Sequence, residues 1–181
     1  MLRATLGEII GTFVLVFIGI GSVAIAVLYD ALNLYQIAGI WCVAVILGIY
    51  SSKNLSDAHL NPAVSIGFVV TKELKISELI FYLAGQLTGA ILAGFAIYFI
   101  FSGEILLYET SHDIIRGTED SKQSAMMFGE FYPNPGNKNL SELSTGMAML
   151  FEGIGTFILM FVILNLVHSE RINGKLVPLL I

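Results

Sequence analysis

The chain has 181 residues, of which 56% are hydrophobic and only 13% are charged, and its formal net charge is -5. Soluble domains average about 45–50% apolar and about 25% charged residues, whereas the mean hydropathy here is +0.82. A soluble fold of this size could not bury so much apolar surface, so the composition excludes an ordinary soluble protein. It indicates a membrane protein, and the net charge is no argument for nucleic-acid binding.

Four apolar stretches are long enough, or nearly so, to cross a hydrocarbon core, which needs about 20 helical residues. In chain order, the predicted spans are 5–28, 34–50, 78–102 and 144–167. A fifth apolar run begins at Leu176 and continues to Ile181. The sequence therefore predicts an all-α membrane protein.

The segment between the second and third spans has a different pattern. Residues 51–60 are polar, and the apolar run that follows, 61–70, is only ten residues long. Ten helical residues rise about 15 Å, half of a bilayer core. Asn61 suits an N-cap and Pro62 suits the first helical position. The pattern predicts a re-entrant loop and a half-helix that begins in mid-membrane, which is tolerated only if it is buried in protein or lines a wet cavity.

The distribution of basic residues favours a cytoplasmic N-terminus, because short cytoplasmic loops are enriched in Lys and Arg. That orientation places six basic residues inside and three outside. The inside set is Arg3, Lys53, Lys72, Lys75, Arg171 and Lys175, and the outside set is Arg116, Lys122 and Lys138. Residues 103–143, with seven acidic residues, are then predicted to be an ordered external loop.

The beginning of the first span recurs later in the chain. Residues 8–17, EIIGTFVLVF, return at 152–161 as EGIGTFILMF, with seven of ten positions identical at an offset of 144. Three spans separate the two starts, so the copies enter the membrane from opposite sides. Inverted repeats of this kind are common in transport proteins, with the substrate path at the repeat interface.

This repeat sets the predicted organisation, a single membrane domain over residues 1–181. The first repeat covers about 5–102, the external loop about 103–143, and the start of the second repeat about 144–181. The counterpart of Asn61 falls near position 205 (61 + 144). We therefore expect a C-terminally truncated second repeat and a coding sequence that continues, or was interrupted, after Ile181, and we expect residues 1–181 alone not to conduct.

The half-helix carries the predicted chemistry. Asn-Pro is by itself an ordinary turn or cap, but here it opens a helix too short to span the bilayer. Its N-terminus carries roughly +0.5 of a charge and free N–H groups, which raises the energy of any cation nearby, hydronium included. The amide of Asn61 can donate to a solute oxygen at the same place.

Residues 56–64, SDAHLNPAV, resemble the first signature loop of the aquaporin superfamily of major intrinsic proteins. Further segments resemble its glycerol-facilitator branch, and together they cover nearly the whole chain. They are Ile40-Trp41, the run 84–86 (AGQ), 112–117 (HDIIRG), 132–135 (YPNP) and 177–181 (VPLLI).

The resemblance implies an aquaporin-like helical bundle and a passive channel for glycerol and related small neutral solutes, with water as co-permeant. Main-chain carbonyls of the loop would line one side of the path, and Trp41 would supply an apolar face. The implied pore residues are Trp41, Asp57, Ala58, His59, Asn61, Pro62 and Ala63. The family usually has Gly where Asp57 stands, so Asp57 bears on the backbone angles of the loop and adds a charge near the cytoplasmic mouth.

Glu8 and Glu152 are acidic residues inside predicted spans, where charges are costly and usually functional. One interpretation is a proton-coupling or ion-coupling site. The other, which the resemblance favours, is a brace that accepts hydrogen bonds from re-entrant loops, and Ser65 and Gln86 are expected to join it. Neither span contains a Lys or Arg that could relay charge.

The glycine pairs and the single cysteine of the spans are expected to have structural roles. The pairs Gly7/Gly11, Gly85/Gly89 and Gly153/Gly155 are expected at close helix contacts. Cys42 is expected to be a packed thiol. We predict no metal site, because His59 has no second His or Cys at suitable spacing, and we predict no cofactor, no enzymatic activity and no nucleic-acid partner.

Four functions remain open at this point. A glycerol channel is favoured over a water-selective pore because of Trp41. A coupled transporter using Glu8 and Glu152 would show flux that depends on a proton gradient. A non-conducting structural or adhesive membrane protein would be favoured if the gene contained no second repeat downstream. The resemblance also implies a homotetramer in the plasma (inner) membrane, as a multi-pass protein in contact with the lipid bilayer.

Overall fold

The structure is a computed structural model that describes residues 1–135, 143–169 and 176–179. Four of its helices are long and apolar enough to cross a membrane. The described helices, in chain order, are α1 (Leu2–Tyr29), α2 (Leu34–Ser52), α3 (Pro62–Val70), α4 (Ile76–Ser111), α5 (Lys122–Ala125) and α6 (Thr145–Val167). Two 3-10 turns, Glu119–Ser121 and Val177–Leu179, accompany them. The predicted class, a helical multi-pass membrane protein, is confirmed.

Glycines bring α1 and α4 together along their length. A Cβ atom on Gly85 would lie 2.7 Å from the carbonyl oxygen of Thr5, and one on Gly89 would lie 2.5 Å from that of Ile9. Small residues at such positions let two backbones approach closely, which drives helix association where no water remains to be displaced. The close contact predicted for this glycine pair is therefore present.

The prediction for the glycines of α6 is wrong within the described residues. A Cβ atom on either Gly153 or Gly155 would meet no atom within 4 Å. α6 is exposed along most of its length, and Ile163 is its one buried residue. Without a described helix against this face, the two glycines have nothing to pack against.

α2 begins at a side-chain cap that the sequence provides. The Asn33 side chain accepts from the Gln36 main-chain N–H at 3.0 Å, and the Gln36 side chain accepts from that of Asn33 at 2.9 Å. This reciprocal capping box satisfies two donors that a helix start otherwise leaves free. α2 then packs on α1, where a Cβ atom on Gly48 would lie 2.9 Å from the carbonyl oxygen of Gly11.

The half-helix α3 begins where the sequence predicts. Asn61 is its N-cap in an extended conformation, and its Oδ1 accepts from the Ala63 N–H at 2.8 Å. Pro62 occupies the first turn. The nine residues rise about 13 Å, less than half of a hydrocarbon core. α3 therefore cannot span a bilayer, and it packs against α4 and α6 instead.

α4 continues nine residues past the predicted end of its span at 102, so the external loop begins at His112 and not at 103. Burial explains the extension. Ile105 is 2% exposed and shares a core cluster with Met127, which lies in the following segment. Glu109 is also buried and bonds Arg116 and Ser124. The loop thus folds back on the last turns of α4 and keeps them helical.

Some sequence predictions fall outside the described residues. They concern Lys138, Arg171, Lys175, Leu180 and Ile181.

Candidate functional site

The carboxylate of Glu8 holds the re-entrant loop. Glu8 is fully buried in α1. Its Oε1 accepts from the His59 main-chain N–H at 3.0 Å, and its Oε2 accepts from that of Leu60 at 2.8 Å. Two side chains complete the shell, since Ser56 Oγ donates to Oε1 at 2.8 Å and Gln86 Nε2 donates to Oε2 at 2.8 Å. Four donors therefore surround one carboxylate that water does not reach.

A second layer of hydrogen bonds ties the loop to α3 and α4. Gln86 Nε2 lies 2.9 Å from Ser65 Oγ, which is also 3.1 Å from His59 Nδ1. The His59 ring stacks on Phe68 with centroids 4.5 Å apart and planes at 5°. The side chains of Glu8, Ser65, Gln86 and His59 thus form one network, and three of these had been grouped as a brace from the sequence.

The backbone of the loop is bent at two left-handed residues. Ala58 has φ 56° and Leu60 has φ 53°, whereas Asp57 has no positive φ. L-residues adopt this region at a cost, so the surrounding contacts must hold it. The hydrogen bonds that the N–H groups of residues 59 and 60 donate to Glu8 do so. Asp57, which stands where the family usually has Gly, therefore does not have to adopt a left-handed conformation.

The loop leaves acceptors and one donor unused. No hydrogen bond within the described part of the chain uses the main-chain carbonyls of Asp57, Ala58 or His59. The Asn61 side-chain oxygen is taken by the α3 cap, and no described bond involves its Nδ2. Three acceptors and an amide donor in sequence can replace part of the water shell of a polar solute.

A cavity of about 440 Å³ lies against this loop. Residues 57–61 form its polar side. The rest of the wall is largely apolar and comes from α1, α2, α3, α6 and the turn at Val177–Leu179. Its residues include Leu15, Trp41, Ile49, Val64, Leu159 and Ile163. A hydrogen-bonding strip that faces an apolar wall suits a solute with hydroxyls on one side and carbon on the other.

Trp41 and Cys42 both line the cavity. The indole packs directly on Gly19 of α1, where a Cβ atom would lie 2.6 Å from the ring. Gly19 thus makes the room for Trp41, a pairing that the sequence analysis missed. Cys42 is exposed, so the expectation of a packed thiol is wrong. Neighbouring residues of a helix project about 100° apart, and both side chains still reach one wide cavity.

Tyr82 and Ser56 are the other site residues that sequence reasoning missed. Tyr82 is buried, and its hydroxyl donates to Asp57 Oδ2 at 2.8 Å. Ser56 Oγ also accepts from the Ala58 N–H at 3.0 Å. The spacing of Tyr82 and Gln86, four residues apart on α4, was the available signal, because such residues share a helix face.

Glu152 does not join the network around Glu8. Its side chain is exposed on α6, and it makes no hydrogen bond or ion pair with any residue the structure describes. The expected buried acid at position 152 is thus not found. The physical reason is that no described element covers this part of α6, where residues 149–159 are all exposed.

Charged contacts join neighbouring segments at the two ends of the bundle. At one end, hydrogen bonds from Arg116 to Tyr98 and Glu109 raise the pKa of the Arg116 guanidinium. At the other, His168 Nε2 lies 3.0 Å from Glu73 Oε2. The Leu164 carbonyl and the charge of Glu73 raise the pKa of His168. This contact joins the end of α6 to the segment between α3 and α4.

Comparison with known proteins gives concordant matches. The family model described as major intrinsic protein matches residues 1–181. A glycerol uptake facilitator protein of Pseudomonas aeruginosa is 38% identical over 179 residues, which are 97% of this chain and 62% of that protein. One of Haemophilus influenzae is 36% identical, over 97% of this chain and 65% of that protein. The chain thus spans somewhat less than two thirds of these curated relatives.

A solved structure resembles the fold as well as the sequence. The X-ray structure of the aquaglyceroporin from Plasmodium falciparum matches with a TM-score of 0.53 and 34% sequence identity. The match covers 64% of this chain and 46% of that one. Sequence and fold therefore point to the same group of proteins.

Proposed function

The chain belongs to the major intrinsic protein family, and on that premise we propose that the protein forms a passive pore for glycerol and related small neutral solutes, with water as co-permeant. Family membership places it among channels and not enzymes. Relatives that bear the name glycerol uptake facilitator support the choice of solute.

One observation carries the proposal: the cavity of about 440 Å³ has a hydrogen-bonding side and an apolar side. The free carbonyls of residues 57–59 and the Asn61 amide replace water around hydroxyl groups, while Trp41 contacts the carbon backbone. The N-terminus of α3 points its partial positive charge at the same space, which disfavours cations. A neutral, hydroxylated solute fits these conditions.

The alternatives have less support. A coupled transporter needs a titratable group that can exchange protons with the path, but Glu8 is fully buried and accepts four hydrogen bonds. That geometry supports a brace. A pore for water alone has no use for the large apolar face of Trp41 beside the cavity.

The test measures glycerol flux into liposomes that contain the full-length protein. After a sudden rise in external glycerol, stopped-flow light scattering records how fast the liposomes shrink and then recover their volume. We expect glycerol flux well above that of empty liposomes, and we expect it to be unchanged when a protonophore removes any proton gradient. Flux that disappears with the gradient would support the transporter, and flux equal to that of empty liposomes would reject the pore.

We also propose a homotetramer in the plasma (inner) membrane, with the N-terminus cytoplasmic and an inverted repeat that starts again at α6. Charge supports the orientation. Of the described basic residues, Arg3, Lys53, Lys72 and Lys75 would be inside, and Arg116 and Lys122 outside. The Arg3 guanidinium donates to the Asn54 carbonyl at 2.6 Å, so the loop at residue 54 lies on the N-terminal side. Labelling of single cysteines at positions 3 and 112 with an impermeant reagent tests the orientation, and native mass spectrometry tests the assembly.

A further inference from the structure

Asp57 stands where two cavities meet. It lines the cavity of about 440 Å³ beside α3 and also a neighbouring one of about 370 Å³. The second cavity adds Glu73, and Lys53 borders both. The Asp57 side chain is exposed, so its charge faces the space through which a solute would pass between the two.

The carboxylate of Asp57 is held in one place. The Tyr82 hydroxyl donates to its Oδ2 at 2.8 Å. Tyr82 is only 4% exposed, and its ring lies 4.7 Å from that of His59, which stacks on Phe68. The bond from Tyr82 is the one described hydrogen bond to the Asp57 carboxylate, which has about four lone-pair sites. The rest of its acceptor capacity, and its charge, remain available at the mouth of the cavity.

The N-terminus of α3 alone would favour anions, which a pore for neutral solutes must exclude. A helix N-terminus disfavours cations but attracts anions, and Lys53 adds a positive charge to the same lining. A negative charge that solutes meet near this end would offset this preference for anions. Glu8 is buried behind the loop and fully engaged with its donors. Asp57 is the carboxylate that lines the cavity.

We propose that Asp57 is a specificity-determining residue that excludes small carboxylate anions from the solute path, and that Tyr82 is its positioning residue. This inference rests on the proposed pore function. A carboxylate of glycerol's size, such as lactate, meets a like charge at Asp57, whereas a neutral polyol can donate a hydroxyl to it. For unit charges roughly 6 Å apart at an effective dielectric constant of about 40, repulsion corresponds to about tenfold in occupancy.

The experiment measures the ratio of lactate to glycerol permeability in liposomes that contain the full-length protein, at pH 7.5 with the membrane potential clamped. We expect Asp57→Asn to raise the ratio about tenfold, and Asp57→Glu, which keeps the charge, to leave it near the wild-type value. Tyr82→Phe keeps the carboxylate but releases it, so it should raise the ratio by a smaller factor without lowering the melting temperature by more than a few degrees.

Two further variants test whether the effect depends on the position of the charge and on its sign. Glu73→Gln removes a negative charge from the outer cavity only, and we expect a change below twofold. Lys53→Gln removes the opposing charge and should not raise the ratio. An unchanged ratio in Asp57→Asn, or an equal rise in Glu73→Gln, would overturn the inference. If Asp57→Asn does not fold, an unchanged ratio in Tyr82→Phe would overturn it. Wild-type liposomes without glycerol flux would instead reject the pore itself, and the inference with it.

Discussion

The carboxylate of Glu8, near the start of α1, accepts the main-chain N–H of Leu60, 52 residues later, at 2.8 Å. Leu60 is in the left-handed region, one residue before the cap of α3. The bond therefore positions the half-helix by holding the strained residue in front of it. A charged acceptor makes such bonds stronger than a neutral one does.

Glu8→Gln is expected to destabilise the protein more than to change what it transports. An amide replaces one acceptor oxygen with a donor, which then faces a loop N–H group and leaves it unpaired. A buried unpaired donor costs about 1–3 kcal/mol. Thermal unfolding in detergent measures the loss. Glu104→Gln, at an exposed position on the same protein, is the control and should leave the melting temperature nearly unchanged. A folded Glu8→Gln variant whose flux had lost a dependence on protons would show that Glu8 is no brace.

Trp41→Ala should shift permeability from glycerol toward water. The change removes the apolar face that a carbon chain contacts and widens the cavity for water. We expect the ratio of glycerol to water permeability to fall about tenfold, at the low end of the range by which apolar pockets discriminate. Stopped-flow measurements of both solutes in the same vesicles give the ratio. Tyr35→Ala, 87% exposed at the start of α2, controls for loss of an aromatic ring elsewhere. Equal ratios in the Trp41 variant and the wild type would remove Trp41 from the site.

Gly89→Ala should destabilise the contact between α1 and α4. The new Cβ would lie 2.5 Å from the Ile9 carbonyl oxygen, so the helices must separate. Overpacking of this kind costs about 1–3 kcal/mol. Gly94→Ala on the same helix meets no atom within 4 Å and should be neutral or stabilising, since Ala favours helix. Chemical or thermal unfolding of both variants decides the point, and equal stabilities would contradict the packing argument.

The contact between His168 and Glu73 should strengthen as pH falls. The Leu164 carbonyl and Glu73 raise the pKa of His168. A raised folded-state pKa means that the stabilisation is fully present below the unfolded value of about 6.5, and that it is lost as pH rises through the folded value. The difference in melting temperature between wild type and His168→Gln should therefore be larger at pH 5.5 than at pH 8.5. His112→Gln is the matched control. A difference that grows as pH rises would contradict a raised pKa for His168.

The sequence predicted the elements whose signals are local. Apolar length gave the four spans, and Asn61 followed by Pro62 gave the start of α3 to the residue. The end of α4 was missed because it depends on burial of Ile105 against Met127, a contact that no periodicity encodes. For the same reason the pairings of Trp41 with Gly19 and of Tyr82 with Asp57 emerged only from the structure. The transport roles of the pore residues remain predictions.

The most direct test of the central claim, that solute passes through the cavity beside residues 57–61, uses the thiol of Cys42, which is exposed and lines that cavity. Glycerol flux is measured before and after a methanethiosulfonate reagent, with mass spectrometry to verify modification at Cys42. We predict that flux falls to a small fraction in the wild type and is unaffected in Cys42→Ser. Undiminished flux through a fully modified wild-type protein would contradict the account.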